Sequence, residues 1–170
     1  MKKLIFTFVL AIFSTALFAQ KYAFVDSQYI LENIPAYKAA QQELDNSSKK
    51  FQKELETIKA ELNQMYKDFQ AESVLLSEDM KRKREDVIIS KEKNYKTLQR
   101  KYFGREGDLY KQRQNLVKPI QDQIFNAVKE LATEGNYAVI FDKAGGAAML
   151  FTNPKYDLSD KVLEKLGYKN

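Results

Sequence analysis

Apolar residues recur every three or four positions from Tyr37 to Phe69. The steps alternate strictly between 4 and 3 along Tyr37, Gln41, Leu44, Ser48, Phe51, Leu55, Ile58, Leu62, Met65 and Phe69. From Leu44 onward every position except Ser48 is apolar. A 3.5-residue repeat sustained over several heptads is typical of a coiled coil, whereas a helix packed on a globular core drifts off it. The pattern favours a coiled-coil helix, and an amphipathic helix on a globular core is the alternative.

The stripe of residues that follows this spacing is called a seam below. A second seam with the same spacing follows Ser77, and Ser77 is a good helix N-cap. Its positions are Tyr95, Leu98, Tyr102, Arg105, Leu109, Gln112 and Leu116. Two of these are polar, and we expect Gly104 and Gly107 to lie inside the helix, where each costs up to ~1 kcal/mol. The second helix should therefore be looser than the first. A turn near residues 74–78 would fold the two into an antiparallel hairpin.

The apolar spacing changes beyond Leu116. Ile120, Ile124, Val128 and Leu131 step by 4, 4 and 3, which is close to the period of a straight helix. Pro119 lies at the change, and a proline inside a helix removes a hydrogen bond and bends the axis. We interpret Pro119 as the point at which the hairpin meets a smaller globular base.

Short apolar runs near both ends of the chain predict strands. "KYAFVD" (Lys21 to Asp26) and "YAVIFD" (Tyr137 to Asp142) are rich in aromatic and β-branched residues. "AAMLF" (Ala147 to Phe151) predicts a third strand, with Gly145-Gly146 as the hairpin turn before it. The closing "DLSDKVLEKLG" predicts a short amphipathic helix with Asp157 or Ser159 as its cap.

The base is too small to bury these strands well. Exposed strand edges of such composition would aggregate, and the simplest remedy is association of identical chains. The predicted oligomerisation residues are Tyr22, Phe24, Val25, Val139, Ile140, Phe141, Met149, Leu150 and Phe151.

The first residues have the pattern of a secretory signal peptide. A positive start at Lys2 and Lys3 precedes an apolar run from Leu4 to Phe18, and Ala19-Gln20 follows as a cleavage site. The run is short for a membrane span, which needs about 20 residues, although a retained anchor is the alternative. We therefore expect export out of the cytoplasm, with cleavage after about Ala19.

Composition argues against catalysis. The chain contains no His and no Cys, so the usual zinc sites and the Ser-His and Cys-His nucleophile pairs are excluded. The Gly-rich loop "KAGGAAM" lacks the phosphate-binding pattern. Most acidic residues stand at helical spacing among Lys and Arg, as in solvated ion pairs. We expect no enzymatic activity, no metal and no cofactor.

Positive charge is concentrated in the predicted hairpin, where residues 36–118 hold 19 Lys and Arg against 14 Asp and Glu. Lys81, Arg82, Lys83 and Arg84 stand in a row near its tip. Because helical residues are about 100° apart, these four ring the helix, and acidic residues four positions away should pair with them. A solvated helix face is the favoured interpretation, with a secondary role in binding acidic partners or anionic lipid. Export disfavours nucleic acid.

Phe103, Tyr110 and Val117 recur every seven residues beside the second seam. They could widen the buried stripe of the helix, or they could line a surface that touches a binding partner. The spacing fits both interpretations equally, so these three residues and Lys81, Arg82, Lys83 and Arg84 are the candidate binding residues.

The chain resembles the Skp/OmpH family of periplasmic chaperones along its whole exported length. The resemblance rests on the export signal, "YAFVDSQYILENIPAYKAAQQEL", the long basic hairpin, and "NYAVIFDKAGGAAMLF" followed by "DLSDKVLEKL". It implies a homotrimer whose strands form a small β-barrel-like body, with three helical hairpins enclosing a cavity. Unfolded outer-membrane β-barrel proteins would be held there without ATP. Lipopolysaccharide is a discussed ligand of the family, but no motif here assigns it to residues.

The resulting prediction is an α+β fold: a β-barrel-like oligomerisation body with a long antiparallel coiled-coil hairpin. The predicted parts are a signal peptide (1–19), a body (20–35 and 119–170) and a hairpin arm (36–118). The predicted function is an ATP-independent holdase that prevents aggregation of unfolded outer-membrane proteins. The alternative is a passive envelope scaffold, and an enzyme or a nucleic-acid binder ranks lower.

Overall fold

The computed structural model describes residues 21–146 and 149–168, so the predicted signal peptide lies outside the described residues. The described chain is mostly helical with one small sheet. In order, its elements are β1 (Lys21–Val25), α1 (Ser27–Glu32), α2 (Pro35–Glu72), α3 (Glu78–Phe103), α4 (Asp108–Gly135), β2 (Tyr137–Asp142), two 3-10 turns (Lys143–Gly145 and Pro154–Tyr156) and α5 (Ser159–Lys165).

The chain divides into two compact units. The helical unit is Ile34–Asp122. The strand unit consists of the described residues of Met1–Asn33 and Gln123–Asn170. The boundary between the units falls inside α4, and this helix continues through Pro119.

Each long helix of the helical unit begins at a residue that favours a helix start. Pro35 opens α2, because its ring fixes a helical φ and its missing N–H is not needed in the first turn. The helix runs for 38 residues, about 57 Å. Ser77 caps α3 by accepting a hydrogen bond from the Met80 N–H (3.4 Å), and Glu78 and Asp79 suit the positive end of the helix dipole.

Helices α2 and α3 lie antiparallel, since the middle of α2 contacts the end of α3 and the end of α2 contacts the start of α3. Tyr102 donates to Glu54 (3.0 Å), and Arg84 pairs with Glu72 (3.1 Å) near the turn. The exposed Arg84–Glu72 pair contributes little. The apolar seam contributes more, because burying a Leu or Ile side chain is worth about 1.5–3 kcal/mol. Its buried residues in this region include Leu55, Leu62 and Ile88.

The second helix is interrupted, so the prediction that both glycines lie inside it is wrong. Helix α3 ends at Phe103, and α4 begins at Asp108. The Gly104 N–H donates to the Arg100 carbonyl (2.9 Å), and the Gly107 N–H donates to the Gly104 carbonyl (2.9 Å). A Cβ at Gly104 would lie 2.2 Å from the Arg100 oxygen. The break therefore requires glycine, because any side chain there would clash with the preceding backbone.

The strand unit contains a parallel two-stranded sheet. β1 pairs with β2 in a register that sets Ala23 opposite Ile140 and Phe24 opposite Phe141, whose rings are 5.9 Å apart. The predicted third strand is wrong where the structure describes it. Residues 149–151 form no strand, and residues 147–148 lie outside the described part.

Asp142 explains why no hairpin follows β2. Its carboxylate accepts from the Ala144 N–H (3.0 Å), which turns the chain into a 3-10 turn, and from the Ser27 N–H (3.1 Å) and hydroxyl (2.6 Å). The chain then returns to the free side of β1, where the Leu158 N–H donates to the Phe24 carbonyl (2.8 Å). The place expected for a third strand is thus filled by the irregular segment around Asp157.

The core of the strand unit is formed by two short helices. Ile30 and Leu31 of α1 are buried, as are Val162 and Leu163 of α5. Asp26 caps α1 by accepting a hydrogen bond from the Tyr29 N–H (3.0 Å).

The cap of α5 differs slightly from the prediction. Leu158 is the N-cap and makes no side-chain cap bond. Asp157, one residue earlier, accepts from the Ser159 N–H (2.9 Å) and hydroxyl (2.6 Å), and it pairs with Lys143. Ser159 in turn accepts from the Asp26 N–H (2.8 Å). This network joins the end of β1 to the start of α5.

Replacement of Asp142 should destabilise the strand unit, because its carboxylate satisfies three donors at once. We expect Asp142→Ala to lower the free energy of unfolding in urea by about 1–3 kcal/mol. Asp86→Ala is the matched control, since Asp86 is exposed on α3. Equal effects of the two substitutions would contradict the structural role of Asp142.

Stability should also depend on the ionisation of Asp157. Burial raises the pKa of Asp157, but the hydrogen bonds from Lys143 and Ser159 outweigh it, and the net pKa is lowered. A lowered folded-state pKa gives stability that is present above the unfolded pKa and lost as the pH falls through the folded pKa. Stability should therefore decline below about pH 5.

The Asp157→Asn variant should be less stable than the parent protein at neutral pH. Its urea midpoint should also decline less than that of the parent as the pH falls. Parallel pH profiles for the two proteins would show that Asp157 does not contribute to the acid dependence.

Candidate functional site

An aromatic cluster lies beside the break between α3 and α4. Phe51 of α2 stacks on Tyr102, with ring centroids 4.2 Å apart, and meets Phe103 edge-on at 6.2 Å. Burial raises the pKa of Tyr102, and its hydrogen bond to Glu54 raises it further. The hydroxyl is therefore a neutral donor at physiological pH. These contacts hold the rings of Tyr102 and Phe103 in fixed positions.

A cavity of about 360 Å³ opens next to this cluster, between α2 and the α3–α4 break. It is lined by Gln41, Leu44, Asp45, Ser48, Tyr102, Phe103, Gly104, Leu109, Tyr110 and Arg113. Ser48, the polar exception in the first seam, lies where a larger side chain would fill the space. Asp45 and Arg113 are exposed at the cavity and make no ion pair within 4 Å among the residues described.

The three apolar candidates for client binding differ in their exposure to solvent. Phe103 and Tyr110 line the cavity and are each more than a third exposed. Val117 is only 4% exposed and packs with Ala40 and Leu44. Val117 therefore fits the interpretation of a widened buried stripe, because residues of α2 cover its side chain.

The basic candidates near the turn have different surroundings. Lys81 pairs with Glu78 (2.8 Å), and Arg84 pairs with Glu72 of α2 (3.1 Å). Arg82 and Lys83 are exposed, and neither forms an ion pair within the described ranges. The predicted compensation through residues four positions away is wrong here, because Lys81 reaches back three positions and Arg84 crosses to the other helix.

An apolar surface at the same turn was missed by the sequence reasoning. Val74 and Leu75 are each 87% exposed, and Met80 is more than half exposed. The sequence feature that could have revealed this surface is a run of three apolar residues, "VLL", at a predicted turn, where polar residues are usual.

The candidate oligomerisation residues are mostly on the surface of the strand unit. Leu150 and Phe151 are 102% and 82% exposed. Tyr22, Val139 and Phe141 are also exposed, whereas Phe24, Ile140 and Met149 are partly buried. Val25 is buried, because its side chain points into the core of its own unit. Phe125 of α4, which the sequence reasoning did not select, is 67% exposed.

Within residues 21–146 and 149–168, no cluster of three or more acidic side chains is arranged to hold a metal ion. None of the helices in this part of the chain is long and apolar enough to cross a membrane.

Comparison with known proteins identifies the family. The family model described as "Outer membrane protein (OmpH-like)" matches residues 21–166. The chaperone protein Skp of Vibrio cholerae serotype O1 is 24% identical over 152 residues, covering 87% of this chain and 84% of the relative. A crystal structure of an OmpH-like outer membrane chaperone from Caulobacter crescentus CB15 shares the fold, with a TM-score of 0.66 at 16% identity over 86% of this chain and 83% of the other.

These matches confirm the resemblance inferred from the sequence motifs. They support a chaperone function, and they confirm that the protein is not an enzyme, because the Skp/OmpH family consists of non-enzymatic chaperones. The chain belongs to the OmpH-like, or Skp/OmpH, family of outer membrane protein chaperones.

Proposed function

We propose that this protein is an ATP-independent holdase of the periplasm, which binds unfolded outer-membrane β-barrel proteins and prevents their aggregation before membrane insertion. The observation that carries the proposal is the surface of the helical unit, where exposed aromatic and basic side chains lie near each other. Phe103 and Tyr110 stand exposed at the cavity, with Arg113 beside them. An unfolded chain offers apolar and acidic groups that such a surface can bind without chemistry.

The charge of the helical arm supports this function. Its excess of five positive charges over residues 36–118 attracts acidic segments across a Debye length, about 8 Å at physiological salt. Arg82 and Lys83 lack ion-pair partners in the described chain and are the proposed contacts near the turn. Anionic lipid or lipopolysaccharide is the competing ligand for these two residues.

The functional assembly is proposed to be a homotrimer with a β-barrel-like body, from which each chain contributes an antiparallel coiled-coil hairpin. The exposure of two consecutive large apolar residues, Leu150 and Phe151, supports the assembly, because contiguous exposed apolar patches mark protein interaction sites. The sheet also leaves the outer edge of β2 without a strand partner within the described residues. Strands of neighbouring chains would extend it.

The proposed division of the chain follows from this assembly. Residues 1–19 would direct export and be removed, residues 20–35 and 119–170 would form the body, and residues 36–118 the arm. The alternative remains a passive envelope scaffold that links partners through its helices. A scaffold would not need open aromatic surfaces on the helical unit, and this difference favours the holdase.

Light scattering of a urea-unfolded outer-membrane β-barrel protein, diluted into the mature protein, tests the proposal. We expect aggregation to be suppressed at about one client per three chains. High salt should weaken the suppression if the basic residues dominate, because it screens their charge. Unchanged aggregation of several different clients at both salt concentrations would overturn the holdase and favour the scaffold.

Assembly is tested by Leu150→Glu, which adds a charge to a side chain that is fully exposed in the single chain and so should leave its fold intact. We expect the mass in sedimentation to fall from three chains toward one. Leu75→Glu is the matched control, because Leu75 is also a highly exposed leucine and lies in the helical unit. A trimer that survives the Leu150 change, or a monomeric parent protein, would contradict the proposed interface.

A further inference from the structure

The cavity beside the α3–α4 break is a gap in an otherwise regular seam. Ser48 stands at a position where the heptad pattern calls for an apolar side chain, and across from it the second helix is interrupted at Gly104. Both features remove volume at the same level of the helix pair. An uncompensated gap costs stability, because its lining atoms lose their packing partners. A ligand that fills the gap would recover those contacts.

The walls of the cavity are aromatic and preorganised. The stack with Phe51 fixes Tyr102, and the edge-on contact fixes Phe103. Tyr110 is half exposed on a third side. Aromatic rings attract a further ring in edge-on or offset geometry at centroid distances of about 4.5–7 Å, and such pairs add to simple area burial. A flat ring entering between these walls would meet favourable partners.

The polar groups of the cavity match a polypeptide rather than a free hydrocarbon. Gln41 and Ser48 offer a carboxamide and a hydroxyl to backbone amides. Arg113 and Asp45 supply one positive and one negative charge, and neither has an ion-pair partner within the part of the chain that the structure covers. A volume of about 360 Å³ accommodates a single large side chain with its flanking backbone, but not a folded element.

We propose that this cavity binds one aromatic side chain of an extended, unfolded client segment. The proposal rests on the holdase function and names the part of the client that is recognised. Outer-membrane β-barrels carry girdles of aromatic residues at both membrane interfaces, so an unfolded client of that class offers many such side chains. A shallow site of this kind binds each of them weakly and repeatedly along the chain.

The probe is a capped ten-residue peptide of Gly and Ser with one central Trp. The protein contains no Trp, so the fluorescence of the probe reports binding without background. Entry of the ring into the cavity should shift its emission to shorter wavelength. The same peptide with Leu in place of Trp, used as a competitor, should displace it only at much higher concentration.

The decisive variant is Ser48→Leu, which fills the cavity and completes the seam. We expect peptide affinity to fall at least about tenfold, while the thermal midpoint stays the same or rises, so loss of binding cannot be attributed to unfolding. Ser90→Leu adds the same side chain to an exposed position of α3 and should bind like the parent protein. Tyr110→Ala, which removes an exposed wall, should weaken binding several-fold without a change in fold.

The outcomes separate this site from the function on which it rests. Unchanged peptide binding by Ser48→Leu, or no binding to the parent protein while client aggregation is still suppressed, would overturn the aromatic site and leave the holdase standing. Failure of both peptide binding and suppression of aggregation would overturn both. Selective loss of binding in Ser48→Leu and Tyr110→Ala would establish the site.

Discussion

Burial of a narrow apolar seam between antiparallel helices is the constraint on which the helical unit depends. Two helices side by side can cover only one stripe of each other, so the residues on that stripe carry most of the packing energy. Leu44, Leu55 and Leu62 are buried on α2 and Ile88 on α3, while the residues around them are exposed. Cross-helix ion pairs such as Arg84–Glu72 contribute little stability, but they favour one alignment of the two helices. Everything outside the stripe is therefore available for other contacts.

The strand unit also buries little apolar area, and a network of polar groups helps to stabilise it. Its two strands are supplemented by a polar network in which Asp142 and Asp157 satisfy backbone donors at the ends of the sheet. Buried polar groups are costly unless they are paired, so a network of this kind fixes one arrangement of the surrounding chain. The same network leads the chain from β2 back to β1 and leaves Leu150 and Phe151 on the surface. Local hydrogen bonding thereby creates the apolar surface that an assembly would need.

The regular parts of this fold could be predicted from periodicity, because a seam, a proline and an N-cap are local features. Pro35 and Ser77 mark the helix starts that the structure shows. The helix break at Gly104 was missed, because a single glycine in a helical pattern usually weakens a helix without ending it. The prediction of a third strand was wrong for another reason. The "AAMLF" run has a strand composition, but the carboxylate of Asp142 turns the chain before it, and composition does not reveal that competition.

The candidate site was predictable only in part, for the same physical reason. The seven-residue spacing of Phe103, Tyr110 and Val117 placed them on one side of a helix, but it could not distinguish a covered position from an open one. The break at Gly104 opens the helix pair around Phe103 and Tyr110, and continuous packing against Ala40 and Leu44 covers Val117. Exposure along this stripe is thus decided by where the helix that carries these residues is interrupted. The polar residue at Ser48 extends the opening on the other side. A seam that were apolar and unbroken throughout would pack more tightly, and it would leave no space for a side chain from another protein.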